Sequence, residues 1–584
     1  MTCKDRILSN EYVDLVVNFN LPPDYEYIHS ADYCYHPVTE DIGILYLDRG
    51  QMPQVQYMQA AYSFLPKCYG LVDIEPCDNV KQSDINMAQV SGLNTLYLSE
   101  TGILSVQKPP LSLTGKGVIT AFVDTGIRYQ EQVFRDFAGN SRILAIWDQT
   151  IQTGTPPEGF EYGSEYTNEM INEALQSNTP YEIVPSTDAN GHGSAMASLA
   201  AGSPIENGLF LGAAPDSQIV MVKLKEAKQN IRDYYMIPAG VPCYCETDIM
   251  QAIQYVQKFV LLFQRPVVIC IGVGTSTGDH TGSDTLGTYI DFLSHKKNTV
   301  FVTAVGNEGN AAHHFHGMIS ARETYQDVQL RVGENEAGFV MDLWGDAPYY
   351  YNATIRTPGG ESIRWNNPRS SIPQEYTFVF EKTRLVIDYL LVEQTSGAEL
   401  IRFRFSNPTP GVWNIRVNAE GNTIGGSFDI WLPITQFLSS DTHFLEPSPQ
   451  TTITAPGYVN GVVTVANYYL ENNSIAPSSG RGYGRDNDIV PDIAAPGVNI
   501  PTPFGERTGS SLSAAITAGG CAQLLQWAVV EKNDVLVNSI NIKNYLIRGA
   551  TRESYLEYPN REWGYGRLSI SGVFEFMAAL GQNI

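Results

Sequence analysis

Four apolar runs, at 117–123, 218–223, 266–271 and 299–305, constrain the fold of this chain more than anything else in it. They lack the polar alternation of a strand with one wet face, so each requires burial on both faces. Helical patterns at 193–201 and 247–263 stand between them as crossovers, and a long alanine-rich helix is expected over 511–529. Such runs joined by helices predict an α/β unit, a largely parallel sheet with helices on both faces.

The flanking sequence has a different character. Residues 1 to about 95 read as a small α/β unit, with 12–19 either helix or strand, strands at 42–47 and 69–74, a helix over 52–63 and a polar linker at 76–84. From about 322 to 433, short alternating runs at 328–332, 339–344, 377–380, 400–405 and 412–417 are broken by Gly, Pro and Asn. This predicts an inserted all-β sandwich or jelly roll. After Gly457 the α/β pattern returns, with a strand at 462–465.

The formal charge of −25 argues against a nucleic-acid partner, because phosphate is repelled. Eight cysteines are too few for a disulfide scaffold, and Cys243 and Cys245 lack zinc-site spacing; free, reduced thiols are expected. The stretch 7–19 is interrupted by Asn10, Glu11 and Asp14, so no signal peptide is read there. No uncharged apolar run of 18 residues marks a membrane span.

Chemistry gathers where these elements end. Asp124 closes the first apolar run, at the strand end where ligands collect in such sheets. His192 opens a helix of small residues and is flanked by Gly191 and Gly193. Ser511 opens the alanine-rich helix, whose free N–H groups can face a developing anion. A hydroxyl, an imidazole to take its proton and a carboxylate to orient that imidazole are the three parts of nucleophilic acyl transfer. Asn307, on the turn Gly306-Asn307-Glu308-Gly309 after another strand, can donate its amide to the oxyanion beside the Ser511 N–H.

The blocks around Asp124-Thr125-Gly126, Gly191-His192-Gly193-Ser194, Gly306-Asn307-Glu308-Gly309 and Gly509-Ser510-Ser511 resemble the signatures of the subtilisin-like serine proteases. So does 491–497, which precedes the nucleophile block in that family. The order Asp, His, Ser is theirs as well. Two departures stand out. Ser510 occupies the usual threonine position, and Gly272-Val273-Gly274 replaces the Ser-Leu-Gly of the substrate-binding strand.

The resemblance implies a serine endopeptidase acting on a protein or peptide. No cofactor enters the chemistry, and calcium braces the fold in many relatives. It also implies an N-terminal prodomain, residues 1–94, that is cut near 89–94 and stays bound in the cleft. The catalytic domain then spans 95–318 and 440–584, around an insert at 319–439. An insert after Asn307 and a retained prodomain resemble the Csp-type spore-germination proteases, which process a protein zymogen. A cytoplasmic or spore-associated protein with no membrane partner is expected. The alternatives are a catalytically silent pseudoprotease that acts as a scaffold, and a general intracellular subtilase.

Overall fold

The computed structural model describes residues 2–19, 34–50, 60–72, 75–76, 95–205, 210–320, 323–364, 373–419 and 426–581. Its centre is a nine-stranded sheet. In spatial order eight strands run Ser474–Ile475, Val462–Tyr469, Thr299–Ala304, Val267–Ile271, Ile119–Asp124, Gln218–Lys223, Ile143–Asp148 and Ser164–Thr167; the ninth, Ile493–Val498, pairs with Val462–Tyr469. The interior pairs are parallel, and only the short edge strands at 474–475 and 164–167 run antiparallel. The reason for unbroken apolar runs is visible in one strand. Phe122 enters the core beneath the helices His192–Ala201 and Ser510–Leu525. Ile119, Ala121 and Val123 enter the opposite core, beneath Glu246–Phe263 and Thr285–Ser294.

The helix Ser510–Leu525 runs on through a π-helical turn, Gln526–Val530. By length and hydropathy the combined helix could cross a membrane, but it is the 89% buried core helix of this domain. Small side chains explain its close fit. A β-carbon on Gly519 would stand 2.6 Å from the Ala200 carbonyl oxygen of the neighbouring helix.

The N-terminal unit is a four-stranded antiparallel sheet in the order Cys34–Pro37, Ile42–Asp48, Tyr12–Phe19, Ala60–Phe64. It lies on helix Glu246–Phe263, with Val16, Ile44 and Tyr46 packed among Ile249, Met250 and Ile253. The buried Asp14 pairs with Lys228 at 2.5 Å across this contact. Two sequence expectations fail here. Residues 60–63 are strand rather than helix, while 52–59 lie outside the described residues. Cys3 and Cys34 form a disulfide across this unit, so among the described residues the expectation of free thiols holds for the buried Cys68, Cys243, Cys245, Cys270 and Cys521 and fails for this pair.

The insert is a sandwich of a six-stranded and a five-stranded antiparallel sheet around Trp413, Phe339, Phe403 and Phe405. Its sheets take in His314–Ile319 and His443–Phe444, and so extend past 319 and 439 at both ends. The run expected at 377–380 is mostly turn. The strand Gln374–Thr377 ends there, leaving Val379 and Phe380 exposed.

Candidate active site

Asp124 is the last residue of the central strand Ile119–Asp124 and is fully buried. Its Oδ1 accepts the Thr125 N–H at 2.7 Å. The His192 Nδ1 lies 2.7 Å from Oδ1 and 2.9 Å from Oδ2. Glycines make this approach possible. Gly191 precedes the helix at φ +85°, which favours glycine. A β-carbon on Gly193 would sit 2.3 Å from the Gly126 carbonyl oxygen. A side chain at 272 would collide with the carboxylate itself, since its β-carbon would lie 1.8 Å from Asp124 Oδ2. The glycine there is therefore a steric requirement of this site.

Ser511 stands in the first turn of Ser510–Leu525, its Oγ 3.2 Å from His192 Nε2. Asn307 follows the strand Thr299–Ala304. Its Oδ1 accepts from the Ser510 N–H at 3.1 Å and lies 3.0 Å from Ser510 Oγ. These contacts turn the amide nitrogen of Asn307 the other way, and they give the Ser510 hydroxyl a definite task in orienting it. Burial disfavours a charged His192, but the charge of Asp124, its hydrogen bond and the Val72 carbonyl outweigh that effect. The imidazole titrates above the ordinary 6.5.

Two features of the site go beyond the sequence reading: Asp188, and the identity of the peptide in the cleft, where the resemblance implied a bound prodomain ending near 89–94. Asp188 is buried between the turns that carry Asp124 and His192. It accepts from Thr125 Oγ1 at 2.9 Å, the Gly191 N–H at 2.8 Å and Ser194 Oγ at 2.6 Å, locking the two turns together. An acidic residue four before His192 was the available signal, since carboxylates favour helix N-termini.

The second is the chain in the cleft. Strand Cys68–Leu71 lies between Tyr244–Cys245 and Val273–Gly274 in a three-stranded antiparallel sheet. The Val72 N–H donates to the Gly272 carbonyl at 3.1 Å. Its own carbonyl oxygen accepts the Ser511 hydroxyl at 2.5 Å and lies 3.0 Å from His192 Nε2. His192, Ser511 and the strand 272–274 thus meet on one peptide, with Asp124 behind His192 and Asn307 on the border of the same cleft. That peptide is residues 68–72; the stretch 89–94 lies outside the described residues. A neighbouring cleft of about 680 Å³ is bordered by Val72, Gly274, Gly306, Asn307, Gln436 and Thr454. Among the described residues no group of three or more His, Cys, Asp or Glu side chains is arranged to hold a metal ion.

A sequence model of the subtilase family matches residues 115–329 and 411–566. Among solved structures, the Clostridium perfringens CspB protease has a TM-score of 0.73 at 31% identity, over 84% of this chain and 98% of that one. The curated subtilisin-like proteases SBT5.4 and SBT3.6 of Arabidopsis thaliana are each 24% identical. Their alignments cover 68% and 70% of this chain but 51% and 56% of theirs, so the chain spans about half the length of these relatives.

Proposed function

The chain belongs to the subtilase family of serine endopeptidases, and from that premise we propose that it cuts itself after Val72 and keeps the released N-terminal unit in its cleft. The observation that carries this reading is the Val72 carbonyl, in contact with both the Ser511 hydroxyl and His192. It moves the cut upstream from the 89–94 that the family resemblance implies.

Ser511 Oγ attacks the Val72 carbonyl carbon while His192 Nε2 takes the hydroxyl proton; Asp124 holds the Nδ1–H tautomer and stabilises the imidazolium. In the attack the Val72 carbonyl oxygen turns away from the Ser511 hydroxyl and His192, against which it rests, and the Ser511 N–H and the Asn307 amide then hold it as the oxyanion. His192 then protonates the nitrogen of Asp73, which leaves as the new N-terminus. Water, deprotonated by the same imidazole, hydrolyses the acyl-enzyme and returns Ser511. No cofactor takes part. In the cut chain Val72 ends in a carboxylate, and its contacts to the hydroxyl and imidazolium retain it as a product inhibitor. The likeness in fold to the CspB protease supports a protease cleft; a second step in which that cleft, once vacated, cuts a specific protein zymogen in a cytoplasmic or spore-associated setting is what the Csp-type resemblance adds to this proposal.

Intact-mass measurement of purified full-length protein tests the first step. The expected products are an N-terminal fragment ending at Val72 and a partner beginning at Asp73, which co-elute. A cut within 89–94 would displace the assignment, and a chain that neither cleaves nor reacts with a fluorophosphonate would favour the pseudoprotease. The pH dependence has a defined sign. Only neutral His192 accepts a proton, and its pKa lies above 6.5. The self-cleavage rate is therefore expected to fall as pH drops through a value above 6.5, leaving a plateau on the alkaline side. A rate-against-pH profile checks this.

A further inference from the structure

We propose that Ile434–Gln436, in the connection between the sandwich strands Gly426–Trp431 and His443–Phe444, is a specificity strap that selects glycine at the third residue before the cut. The substrate class is then an extended peptide with glycine two positions before the residue whose carbonyl is attacked. This rests on the reading of Val72 as that residue.

The argument begins at Gly70. It pairs with Gly274 in the middle of the bound strand, and its φ lies outside the left-handed region, so conformation alone does not call for glycine. Space does. A β-carbon at 70 would stand 2.5 Å from Ile434 Cδ1 and 2.8 Å from both Cδ and Nε2 of Gln436. Successive side chains of a strand alternate, so Gly70 and Val72 share a face. Tyr69 and Leu71 share the other, buried in the core below the central sheet. In a cleft built only from two flanking strands, the third residue's side chain would meet solvent and go unread. Here the strap covers it.

Neither side chain of the strap is free to give way. Gln436 Nε2 donates to the Leu71 carbonyl oxygen, so displacing it forfeits a hydrogen bond to the peptide being held. Ile434 is packed among Cys68, Val340 and Phe437. The strap itself is tied to the catalytic domain beside Asn307. The buried Glu308 carboxylate accepts from the Thr435 N–H and from Thr435 Oγ1, both at 3.0 Å, and pairs with His313 Nδ1 at 2.8 Å. The insert thereby reaches the cleft through a segment fixed to the loop that bears the oxyanion amide. This gives the sandwich a part in substrate choice.

The test follows self-cleavage of the full chain during cell-free synthesis, with intact mass as the readout. Wild type should yield the fragment ending at Val72. Gly70→Ala should slow its appearance at least tenfold. Adding Ile434→Val and Gln436→Ala, which remove the obstructing atoms together with the Gln436 hydrogen bond, should raise the rate to within threefold of the same double variant that keeps Gly70. That rescue also separates a steric block from a folding failure. A Gly70→Ala chain cut at the wild-type rate, or one that the two strap substitutions do not rescue, overturns the strap while leaving the cut after Val72 standing. A wild-type chain never cut after Val72 overturns the reading on which the strap depends, and the strap with it.

Discussion

Ser511→Ala is expected to leave the chain in one piece, with the rate of self-cleavage reduced about 10⁶-fold. The substitution removes a single oxygen. The residue is fully buried in the first turn of Ser510–Leu525, in a stretch already rich in alanine and serine, and alanine favours the helix. Packing is therefore conserved, and the lost bonds are those from Oγ to the Val72 carbonyl and to His192. Intact mass should show one full-length species, and fluorophosphonate labelling should vanish. Should the same fragment ending at Val72 accumulate at the wild-type rate, Ser511 is not the nucleophile of that cut.

Asp124→Asn is expected to lower the rate about 10⁴-fold. The asparagine keeps the shape and can still accept the Thr125 N–H bond that Asp124 holds. It loses the charge that steadies the imidazolium, and its amide can select the wrong tautomer of His192. A second readout separates this from simple damage. The neighbouring carboxylate charge is what lifts the His192 pKa against burial, so the residual activity should have its acid limb at lower pH than wild type. Activity within tenfold of wild type, with the acid limb unmoved, would remove Asp124 from the orienting role.

Much of this architecture could be read from residues alone, and the physical reason is locality. A run such as 117–123 carries its double-sided burial in its own composition, and Gly191-His192-Gly193 carries its turn geometry in two glycines. Ser510 and Ser511 were distinguishable because the block resembles the family's Gly-Thr-Ser, which puts Ser510 in the threonine's place and Ser511 in the nucleophile's. The errors lie where a long-range partner decides. Residues 60–63 are strand because they pair with Tyr12–Phe19, against a locally helical pattern. Cys3 and Cys34 are 31 residues apart, and nothing near either announces the other.

Which peptide fills the cleft was hidden for the same reason. Spacing counted back from Asp124 assumes a tail of standard length, whereas the register is set by Gly70 meeting Gly274, some 200 residues on. Gln436 is likewise unremarkable in sequence. It acquires a role only because the chain, between two sandwich strands, passes over the peptide at 68–72.

The contact between Val72 and Ser511 joins residues 439 positions apart, and so also sets a clock. On a ribosome adding 5–20 residues per second, the N-terminal unit precedes the nucleophile by roughly 20–90 s. During that interval the sheet at residues 12–64 can fold while no reactive hydroxyl yet exists. When Ser511 emerges, its first nearby carbonyl is the one already waiting in the groove. Vectorial synthesis thus serves as a safety catch. On the proposed cut after Val72, the earliest bond the nascent enzyme breaks is its own, and other chains come within reach only after the tenant departs.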